Sequence, residues 1–200
     1  MAAAAVPLVL PAEPAARSTG TWGMGLLIAT EASLFGYLLF SYFYVGALAR
    51  GAWPPSGPPS LRLALPNTFV LLLSSATMYW AESGIRRGRT GRLRLGLLAT
   101  LVLGAAFLTV QGIEYRTNPV RPTTNAYGSL FFTVTGFHGA HVAVGLLMIL
   151  VVVVRALLGH FRAGRHEAVT NVSWYWHFVD VVWLVVFTSL YLVPRVGVSP

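Results

Sequence analysis

Two histidines in one apolar stretch have the spacing that could support chemistry. His138 and His141 are three residues apart, so on a helix they share a face. Gly136 and Gly139 have the same spacing and predict a small-residue face on which another helix packs closely. A metal site would need a third or fourth ligand at the same depth, which only His177 or a carboxylate could supply. Hydrogen bonding of the two histidines across a helix contact is therefore favoured over metal or haem ligation.

A second polar pair lies near the C-terminus. His177 and Asp180 are three residues apart in a run of aromatic and β-branched residues. They could pair with each other, or Asp180 could bind a histidine of the preceding apolar run. An Asp within an apolar span is a functional-site hypothesis by default. Both interpretations predict a polar network that joins helices.

Three further polar residues interrupt apolar runs. Glu31 lies about ten residues, or roughly 15 Å, into the first run, where an unpaired charge would be costly. We expect it to be a neutral carboxyl that either bonds a neighbouring helix or relays protons. Gln111 and Glu114 share a face of the third run. Glu114, with Tyr115 and Arg116, is predicted to anchor the outer end of that run.

These residues lie in four of the five long apolar runs of the chain. The 200 residues are 56% hydrophobic and 10% charged, whereas a soluble domain is about a quarter charged. Each run is long enough to cross a bilayer, which takes about 20 residues. We therefore predict an all-α integral membrane protein with a bundle of five transmembrane helices at residues 22–45, 66–85, 95–115, 128–158 and 172–193. The second is expected to open at Pro66, because proline suits a first helical turn.

The segments outside the runs complete the predicted organisation. Residues 1–21 are expected to be a disordered tail and residues 194–200 a short C-terminal tail. All 14 basic residues are arginines, and they lie in short gaps between runs, a topology signal rather than a nucleic-acid-binding face. Nine fall on one side of the membrane and five on the other. The N-terminus is thus predicted to be cytoplasmic and the C-terminus outside.

Several motifs resemble one family. Thr135–Val142 matches a Thr-Gly-x-His-Gly-x-His-Val stretch of cytochrome c oxidase subunit III, and Tyr175–Trp183 matches its Tyr-Trp-His-Phe-Val-Asp-Val-Val-Trp stretch. Residues 111–115 match its Gln-x-x-Glu-Tyr signature. The stretch from Leu65 to Ser75 is similar to the helix before its arginine loop. Glu31 corresponds to the family's mid-membrane glutamate.

The resemblance implies an accessory subunit of a haem–copper respiratory oxidase in a bacterial plasma membrane. Many members have seven helices, and this chain resembles the five-helix bacterial form. The implied partners are the catalytic subunit, other oxidase subunits and membrane lipid. The catalytic subunit would hold the haems and copper, and a bound phospholipid is a further expectation. No catalytic, cofactor or metal residue is predicted in this chain. Its expected role is to support stability and sustained proton uptake during the reduction of O2 to water, which is coupled to proton translocation.

Two alternatives to the cytochrome c oxidase remain at this stage. The first is the third subunit of a quinol oxidase, or the accessory protein of a nitric oxide reductase. The second is a small proton-coupled transporter that uses Glu31, Asp180 and the histidines as a relay. The lack of internal repeats counts against the transporter.

Overall fold

The computed structural model describes residues 19–196, and its main elements are five long helices. They are α1 (Thr19–Leu48), α2 (Leu61–Arg86), α3 (Thr90–Thr117), α4 (Ala126–Leu157) and α5 (Glu167–Phe187). A π-helical turn (Thr188–Leu192) and a 3-10 turn (Val193–Arg195) extend α5. All five helices, counting α5 with these turns, are long and apolar enough to cross a membrane. The predicted fold class is confirmed.

The helices are longer than most of the apolar runs that predicted them. α4 has 32 residues and so is about 48 Å long, well beyond a hydrocarbon core of about 30 Å. Its first turn is capped by Asn125, whose Oδ1 accepts a hydrogen bond from the backbone N–H of Gly128 at 2.8 Å. Such capping satisfies amide groups that the helix itself leaves unpaired.

The start of α2 differs from the prediction. The helix begins at Leu61 and Ser60 caps it, so Pro66 lies inside the helix rather than in its first turn. The Ser60 hydroxyl accepts a hydrogen bond from the Arg62 amide at 3.3 Å. Proline removes one backbone hydrogen bond, and membrane helices tolerate this loss because neighbouring groups compensate for it.

The two predicted tails fall largely outside the described residues. Residues 19–21, which the sequence assigned to the N-terminal tail, form the first turn of α1. Pro194 and Arg195, assigned to the C-terminal tail, belong to the 3-10 turn. Helical structure therefore continues past the apolar residues at both ends of the described chain.

Helices α2 and α3 form a tight antiparallel hairpin, which is the most extensive contact between elements. The turn between them uses Gly88 with φ 73°, a conformation that favours glycine. Within the hairpin, a Cβ added to Gly96 would lie 2.6 Å from the Ala81 Cβ and 2.9 Å from the Thr77 carbonyl oxygen. The hairpin backbones therefore approach each other closely because residue 96 has no side chain.

Helix α1 packs on the outside of the bundle, against α4 and α5. Its buried residues are Phe35, Tyr42 and Gly46, whereas large side chains such as Tyr37 and Phe40 are exposed. Exposed apolar residues of this kind suit lipid or another transmembrane chain. One face of α1 thus closes the bundle, and the remainder is presented outward.

Gly96→Ala tests the hairpin. Adding a methyl group where the neighbours are under 3 Å away should destabilise the protein by about 1–3 kcal/mol. Gly112→Ala is the matched control in the same helix, because a Cβ there meets nothing within 4 Å. Thermal unfolding in detergent should show a lower midpoint for Gly96→Ala only. Equal midpoints for the two variants would contradict the close contact.

Candidate functional site

Glu31 of α1 and His141 of α4 form a direct contact between helices. The distance from Glu31 Oε2 to His141 Nε2 is 2.9 Å, and His141 Nδ1 lies 2.7 Å from the Phe137 carbonyl oxygen. A carbonyl oxygen only accepts, so Nδ1 must carry a hydrogen that it donates. The contact between Glu31 Oε2 and His141 Nε2 then contains one proton, which is held either by the carboxyl group or by Nε2. Glu31 and His141 therefore form a pair that binds a single proton between α1 and α4.

The Glu31–His141 pair lies near the bundle surface. The exposed fractions of the two side chains are 27% for Glu31 and 14% for His141. Phe35 packs edge-on against the His141 ring with a centroid distance of 5.0 Å, and the Tyr175 hydroxyl donates to the His141 carbonyl oxygen at 3.4 Å. The pair is thus held firmly by its neighbours, but a group outside the bundle could still reach the carboxyl.

His138 has a different environment from His141. It is 1% exposed, and neither of its ring nitrogens has a hydrogen-bond partner within residues 19–196. Its ring packs on Trp183 with a centroid distance of 4.8 Å, and on Phe107 at 5.8 Å. The predicted hydrogen bond of His138 to another helix is therefore not found, and this histidine packs as an aromatic ring in the core.

His177 and Asp180 both lie against α2 rather than forming a pair with each other. His177 Nδ1 is 2.9 Å from the Ser75 hydroxyl, and Ser75 also lies close to the Asp180 carboxyl. Asp180 Oδ1 has no hydrogen-bond partner within the described chain. The expected clamp between Asp180 and a histidine of α4 is absent from these contacts. Ser75, which the polar spacing did not point to, is the residue shared by His177 and Asp180.

Trp176 connects four helices next to these residues. Its indole N–H donates to the Ser74 hydroxyl of α2 at 3.0 Å. A Cβ added to Gly104 of α3 or to Gly145 of α4 would lie 2.7 Å or 2.9 Å from the ring. These two glycines provide the close approach that the sequence assigned to Gly136 and Gly139, where an added Cβ would meet only ordinary contacts at 3.9 Å. The prediction for Gly136 and Gly139 was therefore wrong.

Gln111 and Glu114 form a third polar group at the opposite end of α3 from Thr90. Glu114 is 7% exposed, and its Oε1 accepts a hydrogen bond from the Tyr191 hydroxyl at 2.8 Å. Gln111 is 4% exposed, and both of its amide atoms lack a protein partner within residues 19–196. Glu114 is therefore a buried contact between α3 and the π-helical turn. Its predicted role as an anchor at the outer end of the span stays a prediction.

The comparisons with known proteins agree over most of the chain. A family model described as cytochrome c oxidase subunit III matches residues 13–194. The chain belongs to the cytochrome c oxidase subunit III family. Cytochrome c oxidase subunit 3 of Latimeria chalumnae is 40% identical over 179 residues, which cover 85% of this chain and 68% of that protein. The Arabidopsis thaliana protein of the same name is 39% identical over 178 residues, which cover 85% of this chain and 67% of that protein.

Membership of the subunit III family supports an oxidase subunit and not the small transporter. The subunit III family carries no redox centre of its own. Among residues 19–196, no group of three or more His, Asp or Glu side chains is placed to hold a metal ion. The polar residues that the described chain brings together are joined by hydrogen bonds, such as those of Glu31 with His141 and of Glu114 with Tyr191.

One buried acid of this subunit III chain was missed by the sequence reasoning. Glu82 is 6% exposed, and it binds Arg86 with an N–O distance of 2.5 Å. The spacing of four residues is a signal that could have identified this pair. The pair sits at the end of α2 beside the arginine-rich turn, and the Glu82 carboxyl also lies close to Ser173 of α5.

Ser74→Ala tests the contact between α2 and α5. It removes the acceptor of the Trp176 N–H, and a buried unpaired donor costs about 1–3 kcal/mol. Ser83→Ala is the control in the same helix, because the Ser83 hydroxyl bonds only its own helix, at the Trp80 carbonyl oxygen. Thermal unfolding of the purified protein should show a loss for Ser74→Ala alone. A midpoint for Ser74→Ala that equals that of Ser83→Ala would refute the contact.

Proposed function

We propose that this chain is the accessory, non-redox subunit of a haem–copper oxidase, and that it supports the stability and sustained proton uptake of the catalytic subunit. Family membership carries the first part, since the matched region covers residues 13–194. The Glu31–His141 pair supports the second part. It holds one proton within a transmembrane bundle, and its carboxyl is within reach of the bundle surface.

The Glu31–His141 pair can take up and release a proton without moving a helix. The Phe137 carbonyl fixes the orientation of the His141 ring, so Nε2 always faces the Glu31 carboxyl. When the shared proton leaves through the exposed edge of Glu31, a carboxylate facing a neutral imidazole remains, and a proton arriving later restores the pair. General acid–base groups work in this way when they are held at hydrogen-bond distance.

The same proposal includes partners and location. The partners are the catalytic subunit, which would hold haem and copper, other oxidase subunits, and membrane lipid, with a bound phospholipid as part of the assembly. The exposed face of α1 offers a surface of suitable chemistry for a transmembrane partner or lipid. The chain is a multi-pass membrane protein. Its location in a bacterial plasma membrane, with the N-terminus cytoplasmic, is part of the same proposal, and the arginine distribution supports that orientation.

Native purification in mild detergent tests the accessory role. A tagged chain should co-purify with a haem-bearing subunit, and the complex should show a Soret band. The chain expressed alone should be colourless. Recovery of a haem-free homo-oligomer from native membranes would contradict the proposal, as would a Soret band stoichiometric with the isolated chain.

Glu31→Gln tests the role of the shared proton. Glutamine keeps the hydrogen bond to His141 but cannot lose a proton at neutral pH. The complex should assemble and show a near-normal initial rate of oxygen consumption, while proton pumping should fall or inactivation should come sooner during turnover. The measurements are proton release and activity against turnover number in vesicles.

Two control variants sharpen that measurement. Glu167→Gln changes an exposed carboxyl at the start of α5 and should behave as the wild type. The double variant Glu31→Gln/His141→Gln should be no worse than Glu31→Gln alone, because both changes affect one pair. Unchanged pumping and lifetime in Glu31→Gln would leave the pair a packing contact. Loss of its initial rate would contradict the accessory role.

A further inference from the structure

A cavity lies at the end of the bundle where α2 and α4 begin and α3 ends. We name it the Glu114 cavity, and its volume is about 580 Å3. One water occupies roughly 30 Å3 in the liquid, so the cavity has room for a cluster of waters. Its polar lining side chains come from the loop before α2 and from the three helix ends, and they are Ser56, Ser60, Arg62, Glu114, Thr117, Asn118 and Tyr127.

Within residues 19–196, buried polar atoms without protein partners continue inward from this cavity. Glu114 Oε2 is one, since only Oε1 of that carboxyl bonds Tyr191 in the described part of the chain. One helical turn deeper, neither amide atom of Gln111 has a partner among the described residues. Deeper again, Asn67 donates through Nδ2 to the Phe107 carbonyl oxygen at 3.1 Å, and its Oδ1 has no protein partner. Residues 114, 111 and 107 lie successively one turn apart on α3, so these groups form a file that leads in from the cavity.

The chemistry of these atoms identifies their ligand. Glu114 Oε2 and Asn67 Oδ1 can accept hydrogen bonds, whereas the Gln111 amide needs both a donor and an acceptor. A metal cation would leave the Gln111 NH2 group unsatisfied, and lipid tails would satisfy none of these atoms. Water both donates and accepts, and it bridges buried polar groups in proteins. The file therefore matches water and no simple ion.

The structure also shows where such a file of water would stop. Below Gln111, the Phe107 ring packs against Trp183 with a centroid distance of 5.0 Å and against His138 at 5.8 Å. This cluster of rings lies between the file and the centre of the bundle. The π-helical turn Thr188–Leu192 holds Tyr191 against Glu114, and such turns occur frequently at functional sites.

We infer that the Glu114 cavity is an aqueous inlet, in which ordered water bridges Glu114, Gln111 and Asn67 and which ends at the rings of Phe107, Trp183 and His138. The inlet opens at the membrane side where α3 ends. It gives the buried carboxyl of Glu114 contact with the solution on that side and no water path through the bundle. The inlet is separate from the Glu31–His141 pair, so its test does not depend on the role of that pair.

Single cysteines can test the inlet, because the chain contains no cysteine of its own. Thr117→Cys places a thiol at the cavity wall and Gln111→Cys places one in the file. Val142→Cys places one a helical turn beyond the His138 ring on α4, where the native side chain is fully buried and the rings stay intact. Ile113→Cys is the control on the outward face of α3, where the native side chain is 48% exposed. Each variant is made in the intact complex and labelled in right-side-out and in inside-out membrane vesicles. If the predicted topology is reversed, the vesicle orientation that allows labelling changes, but the order of the rates among the variants does not.

The probe is aqueous silver ion, which is small and does not enter lipid. Silver binds thiolates and blocks later maleimide labelling of the denatured chain. Protection of Thr117→Cys and Gln111→Cys should be at least about tenfold faster than that of Val142→Cys and Ile113→Cys. A rate for Gln111→Cys no faster than for Ile113→Cys would overturn the inlet, and so would equally fast protection of Val142→Cys. Fast protection only after lipid is stripped by detergent would assign the cavity to lipid and also overturn it.

Discussion

The position of the Trp176 side chain is the constraint on which most of the bundle depends. The residue belongs to α5, its N–H bonds Ser74 of α2, and its ring fits against Gly104 of α3 and Gly145 of α4. One side chain thereby fixes the relative positions of four helices. Without a strong hydrophobic force between helices in lipid, such packing and hydrogen bonding decide how helices associate. The rotation of α5 then determines where His177, Asp180 and Trp183 point.

Fold class could be predicted from the sequence, because five long apolar runs leave few alternatives to a membrane bundle. The hydrogen-bond partners of the polar residues could not be predicted from the sequence. His138 and His141 have the same type and nearly the same neighbours, but three residues rotate a helix by about 300°, so their rings diverge by about 60°. One packs among core rings and the other reaches Glu31, 110 residues earlier in the chain. Periodicity places residues on a shared face, but it does not specify which helix lies opposite.

The glycines show the same limit. From the sequence alone, every glycine of α3 and α4 could allow another helix to approach closely. Only Gly96, Gly104, Gly128 and Gly145 on those helices would place a Cβ under 3 Å from another group, and Gly136 and Gly139 would not. The neighbour decides the difference: for Gly104 and Gly145 it is the Trp176 ring from a different helix, and for Gly96 it is the backbone and small side chains of α2. The start of α2 was also not predicted. The helix begins at Leu61, ahead of Pro66, where the Ser60 hydroxyl caps it by accepting a hydrogen bond from the Arg62 amide.

The peripheral packing of α1 has a consequence for biosynthesis. Glu31 is translated long before its partner, because 110 residues separate it from His141. At about 5–20 residues per second, roughly 5–20 seconds pass before the ribosome reaches that histidine. During this interval α1 has left the ribosome while its carboxyl still lacks the imidazole of α4, and an isolated charge in hydrocarbon is costly. The contact of Glu31 with His141 can therefore form only after α4 has been made, and α1 is synthesised before both of the helices against which it packs.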